Sequence, residues 1–132
     1  VLRVLLVEDD EATGRVLAAI LRAEGIAVHL IDDAEIALEL VRLLPLDLVI
    51  ADFALPGMSG LDLCRVLRGA GQTHPTILIS GGAPDELATV AAEVDPRSGV
   101  PLVNQWLPKP IDRATLLQTI EEVLTRRSSL PP

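Results

Sequence analysis

The chain has 132 residues, of which 49% are hydrophobic, 23% charged and only 2% aromatic, and a formal net charge of −8. That length suits one domain with a core built from Leu, Val, Ile and Ala, and the acidity argues against a nucleic-acid surface, whose footprint is a basic patch. A single cysteine, Cys64, excludes an internal disulfide or a cysteine metal cluster and makes a reducing cytoplasm the expected compartment, while no apolar run reaches the roughly 18 residues of a membrane span.

Arg3-Val4-Leu5-Leu6-Val7 reads as a buried strand that runs into Glu8-Asp9-Asp10-Glu11. The chain begins at Val1, close to this strand and without a methionine, so an excised domain or a trimmed chain is the expectation. Val16, Leu17, Ile20 and Leu21 recur at helical spacing up to Gly25. Val28, Leu30 and Ile31 suggest a second, less apolar strand at a sheet edge. Asp32 or Asp33 can cap a helix whose apolar face is Ile36, Ala37, Leu40, Val41 and Leu44, and Pro45 ends it. Residues 47 to 52 form an apolar run that closes on Asp52, followed by the Pro/Gly-rich loop 53 to 60. Ser59 can cap a helix facing inward with Leu61, Leu63, Cys64, Val66 and Leu67, which closes around Gly69 to Gly71.

Thr76-Ile77-Leu78-Ile79-Ser80 reads as a fourth buried strand stopped by Gly81-Gly82. Pro84 suits the first turn of a helix through Leu87, Val90, Ala91 and Val94. Residues 95 to 101 break that pattern, Leu102 to Leu107 reads as a fifth strand, and Asp112 caps a last helix with Leu116, Leu117, Ile120, Val123 and Leu124 inward. Residues 1 to 125 thus read as one domain, and 126 to 132 as a tail or the start of a linker. Five strands alternating with five helices predict a parallel sheet covered on both faces, a doubly wound α/β fold of three layers.

The polar residues fall at one rim of that sheet. Glu8-Asp9-Asp10 follow the first strand, Asp52 ends the third, Ser80 ends the fourth and Lys109 follows the fifth. Each has a plain structural reading: a helix cap for Asp9 or Asp10, a turn for Asp52, a backbone-satisfied hydroxyl for Ser80, a solvated loop residue for Lys109. Those readings leave unexplained why acids, a hydroxyl and a lysine meet at one edge. Strand neighbours lie only ~4.8 Å apart, so the rim concentrates them. Packed carboxylates repel, so they either raise their pKa values or recruit a cation. All-oxygen ligands with open positions suit Mg²⁺ and a phosphate oxygen, and a carboxylate beside it can act as a nucleophile towards phosphorus.

Four segments resemble the response-regulator receiver domain of two-component signalling: 5 to 11, 47 to 60, 77 to 81, and Trp106-Leu107-Pro108-Lys109-Pro110. The resemblance implies the flavodoxin-like strand order 2-1-3-4-5. It implies that Asp52 is the phosphoacceptor, charged by a histidine kinase or histidine phosphotransfer domain. It further implies that Asp9 and Glu8 hold Mg²⁺ (or Mn²⁺) together with Asp52 and the backbone carbonyl of Ala54. Ser80 matches the switch hydroxyl, Lys109 the phosphate-bridging lysine and Trp106 the switch ring. Lys109-Pro110 matches a peptide that is often cis in the family, which proline alone makes cheap. Such a domain accepts a phosphoryl group rather than turning over a substrate, and it switches the face built from its fourth helix, fifth strand and last helix, through which a homodimer can form.

Three departures bear on these expectations. Trp106 is bulkier than the family's usual Tyr or Phe, so a restricted inward swing is expected. The 28 residues between Ser80 and Lys109 exceed the usual spacing, which favours the receiver of a hybrid sensor kinase, or a single-domain regulator, over a transcription factor. Ala54 leaves the approach of a hydrolytic water open without assisting it. The first rival is a degenerate receiver that serves as a phosphorylation-independent interaction module. A dehalogenase-like phosphatase would need a second acid where Ala54 stands, and a flavodoxin-like phosphate loop would be repelled by Glu8 to Glu11. His29 and His74 show no metal-ligand spacing and read as surface residues.

Overall fold

The computed structural model describes residues 1–81 and 93–129. Five strands, β1 (Arg3–Val7), β2 (Ala27–Ile31), β3 (Leu48–Asp52), β4 (Thr76–Ser80) and β5 (Gln105–Pro108), form one sheet in the order β2-β1-β3-β4-β5. All the pairings are parallel. The helices among the described residues are α1 (Glu11–Ala23), α2 (Ala34–Leu43), α3 (Gly60–Gly69) and α4 (Arg113–Ser129). The helix expected from Pro84 through Ala91 lies outside the described residues. No helix among them is long and apolar enough to cross a membrane.

Alternation along the strands sorts the core into two layers, because successive side chains point to opposite faces. Val4, Leu6, Leu48, Ile50, Ile77 and Ile79 meet α1 and α4 through Leu17, Leu21, Leu116, Ile120 and Val123. Leu5, Val7, Val49, Ala51 and Leu78 meet α2 and α3 through Ala37, Val41, Leu63, Cys64 and Leu67. β1, β3 and β4 are buried on both faces, which is why they read as unbroken apolar runs. The helix starts follow ordinary capping chemistry: Asp10, Asp33 and Ser59 each accept from amides in the first turn of α1, α2 and α3. Asp112 does the same for α4, accepting from the Thr115 amide at 2.7 Å.

Several expected details shift. Val16, Ile36 and Val66, assigned to inward helix faces, are 58%, 47% and 42% exposed. The small residues Gly14, Ala18 and Ala34 are buried instead, letting α1 and α2 approach the sheet closely. β5 starts at Gln105 rather than Leu102. Leu102 donates its amide to the Glu93 carbonyl (3.0 Å), and Val94, expected on a helix, forms an antiparallel bridge with Pro101. The turn between them is closed by Asp95, whose amide donates to Val100 (2.9 Å) and whose carbonyl accepts from Gly99 (2.8 Å). His29 is exposed as expected, whereas His74 is half-buried.

Candidate functional site

Three strand ends converge at the C-terminal rim. β1 hands the chain to Glu8, β3 ends on Asp52, and Lys109 follows β5, its amide donating to the Ser80 carbonyl at 2.8 Å. Parallel register places these ends side by side: Val7 pairs with Ala51, Asp52 with Ile79 and Ser80 with Pro108. Glu8, Asp52 and Ser80 are buried, while Asp9 is exposed. One carboxylate oxygen from each of Glu8, Asp9 and Asp52 lies within 4.8 Å of the other two. Lys109 spans two of them, with Nζ 2.8 Å from Glu8 Oε1 and 3.1 Å from Asp52 Oδ2. The other Asp52 oxygen, Oδ1, accepts from the Ala54 amide at 3.3 Å.

One lysine paired with two of three clustered acids leaves the cluster with excess negative charge. The strain falls on Glu8, whose pKa is pushed up to about 7, first by burial and then by the adjacent Asp52. For Lys109 burial works to lower the pKa, but Glu8 and Asp52 outweigh it and hold the ammonium above its ordinary value. The donor set fits a magnesium ion: hard carboxylate oxygens, mutually close, carrying more charge than their one cation balances. A depression of about 490 Å³ lined in part by Glu8, Asp9, Asp10 and Asp32 opens beside the cluster.

The structure also divides Asp9 from Asp10. Asp10 caps α1, bonding the amide and the hydroxyl of Thr13, whose donation holds its carboxyl below the usual range. Asp9, one residue earlier, is left to point its carboxylate at Glu8 and Asp52. Trp106 sits on β5 opposite Leu78, half-buried against the layer of α2 and α3. The Lys109–Pro110 peptide is cis, as expected.

Residues 4–121 match the family model of the response regulator receiver domain. The chain belongs to that family. It is 32% identical over 127 residues to the cell cycle transcriptional regulator CtrA of Caulobacter vibrioides, covering 95% of this chain and 51% of the relative. The receiver thus spans about half the length of the curated relatives it matches. Among solved structures it resembles a CheY-like response regulator receiver domain from Methanospirillum hungatei, with TM-score 0.83, 25% identity and 97% of both chains covered. A sensor protein from Polaromonas sp. JS666 is similar too, with TM-score 0.80, 27% identity, and 95% of this chain and 97% of that one covered.

One feature of the receiver site was missed by sequence reasoning. Gly60 opens α3 with its amide donating to the Phe53 carbonyl at 2.8 Å. A Cβ built there would lie 2.3 Å from the Asp52 carbonyl oxygen. The available signal was a glycine directly after the Ser59 cap, where a helix former is otherwise favoured.

Proposed function

We propose that this receiver takes a phosphoryl group onto Asp52 from a phosphohistidine of a histidine kinase or histidine phosphotransfer domain, in a Mg²⁺-dependent reaction. The observation that carries this is the Glu8–Asp9–Asp52 cluster bridged by Lys109. Glu8, Asp9 and Asp52, with the Ala54 carbonyl, are the groups to hold the metal, which when bound neutralises charge on the phosphoryl oxygens. An Asp52 carboxylate oxygen forms the new P–O bond as the P–N bond to the donor imidazole breaks. The electron pair stays on that imidazole nitrogen, and a proton carried on the ring's other nitrogen lets the donor leave as a neutral histidine. Lys109, already charged and within reach of Asp52, then counters the charge that arrives there. Ser80 supplies a hydroxyl one strand away, and Trp106 reports the change on β5 and the face beside it.

A site with its acids, hydroxyl and lysine in place gives no support to a receiver that is never phosphorylated. For context we retain the receiver of a hybrid sensor kinase or a single-domain regulator, a reading that rests on the extra residues before β5. The test of the central reading is the mass of the intact protein after incubation with Mg²⁺ and a small acyl phosphate. One phosphoryl group is expected, lost on EDTA treatment before the donor is added and absent in Asp52→Asn. Wild-type protein that gains no phosphoryl mass would falsify it.

A further inference from the structure

Arg68, near the end of α3, is 3% exposed although it carries a full charge. Its guanidinium is held by backbone carbonyls. Nε donates to Pro101 (2.9 Å), Nη1 to Gln72 (3.1 Å), and Nη2 to His74 (2.8 Å) and Leu102 (3.5 Å). One side chain therefore ties the segment entering β4, residues 72 to 74, to the segment entering β5, residues 101 to 102. Thr76 and Asn104 complete the joint. The Thr76 hydroxyl donates to the Leu102 carbonyl at 2.7 Å. The Thr76 amide donates to Asn104 Oδ1 at 2.9 Å, and the Asn104 amide returns a bond to the Thr76 carbonyl at 2.9 Å.

From Asn104 the ladder runs without a break through Gln105, Trp106, Leu107 and Pro108 to Lys109, whose amide bonds Ser80. β5 is a four-residue edge strand that, among the described residues, pairs with β4 alone. A strand so short has little ladder of its own to define register, and a one-residue slip moves every side chain to the other face. The 28 residues between Ser80 and Lys109 are also a long tether, which constrains register weakly.

We infer that Arg68, with Asn104, is a positioning residue for Lys109: the clamp at the N-terminal rim sets the β5 register that delivers the lysine to Asp52 at the other rim. The inference rests on the proposed chemistry for its kinetic readout and on the fold alone for its structural one. The test compares wild type, Arg68→Met and Arg68→Lys by three measurements: hydrogen exchange of residues 105 to 109, Mg²⁺ titration of Trp106 fluorescence, and the rate of phosphorylation by a small acyl phosphate. In Arg68→Met, exchange over 105 to 109 should accelerate and Trp106 emission should shift. The rate at saturating Mg²⁺ should fall by about tenfold or more, since an ångström of misplacement is costly. The Mg²⁺ midpoint should stay near wild type, because the groups proposed to hold it follow β1, end β3 and lie in the loop after β3. Arg68→Lys should recover part of the rate.

If Arg68→Met does not fold, Asn104→Ala carries the same expectation with a smaller effect. Wild-type exchange and rate in a folded variant overturn the inference, as does a rate that falls only together with metal affinity. Wild type that takes no phosphoryl group sinks the functional reading, while exchange over 105 to 109 still decides the register.

Discussion

The two rims of this sheet each bury charge, and they do so in opposite ways. At the C-terminal rim, one lysine pairs with Glu8 and Asp52 while Asp9 lies beside them, and the negative charge exceeds the positive. At the N-terminal rim, four carbonyl dipoles meet the planar fork of Arg68 at 2.8 to 3.5 Å. Buried charge is costly wherever it occurs. The rim that satisfies it with fixed dipoles is a joint, and the rim that leaves it unbalanced is the one proposed to take a cation and an incoming phosphoryl group. An electrostatic imbalance in a buried cluster therefore marks the working end of the domain better than burial of charge does.

Four substitutions test this contrast, from the largest effect to the smallest. Gly60→Ala, at the base of the working rim, drives a methyl into the Asp52 carbonyl and should destabilise the protein by about 3 kcal/mol or more in urea unfolding. A change below about 1 kcal/mol would mean that α3 can retreat freely. Arg68→Met should cost about 3 kcal/mol, because four carbonyls around a buried guanidinium lose their donor together. Thr76→Val, which keeps the shape and removes the 2.7 Å bond to Leu102, should cost about 1 kcal/mol. Glu8→Gln should do the reverse in metal-free protein at pH 8, raising stability by about 1 kcal/mol while weakening the Mg²⁺ response of Trp106. A loss of metal-free stability in that variant would refute the picture of an overcharged rim.

The pH dependence separates the rims by sign. Glu8 has its pKa raised from 4.5 to about 7, so its contribution is fully present below 4.5 and is lost as pH rises through about 7. EDTA-treated protein should therefore lose stability across that window, with a limiting slope of about 1.4 kcal/mol per pH unit from this one group. Asp95, in the turn that leads to the other rim, is held below its ordinary 3.8, first by the Ser98 hydroxyl and then by the Ser98 amide. Its contribution is present above 3.8 and lost as pH falls through the lower folded value. Protection of the amides in residues 95 to 101, measured against their intrinsic exchange rates, should thus fall on acidification, and Asp95→Asn should remove that acid dependence.

The working rim was largely legible in the sequence, and the joint was not. β1, β3 and β4 could be read because double-sided burial demands continuous apolar runs, and carboxylates directly after such runs have few places to go. Asp9 and Asp10 could not be separated, since either can cap a helix; the turn that starts α1 makes the choice. Arg68 was invisible because a charged residue at a helix end ordinarily reads as solvated. Its partners are carbonyls, which every residue carries and no sequence pattern displays. The late start of β5 has the same origin: Leu102 and Val103 are apolar enough for a strand, but the backbone groups of Leu102 are engaged by Glu93, Thr76 and Arg68. Val16, Ile36 and Val66 show how helical spacing alone overstates the width of a buried face.

Helix α3 is bounded by demands at both ends, with Gly60 wedged against the Asp52 carbonyl and Arg68 locked among carbonyls eight positions later. An α-helix advances about 1.5 Å and turns about 100° for each residue. A single insertion or deletion between these two positions would swing Arg68 away from its carbonyls. In a library of length variants, this stretch should therefore tolerate substitution at Asp62, Arg65 and Val66, which face outward, yet reject every change in length.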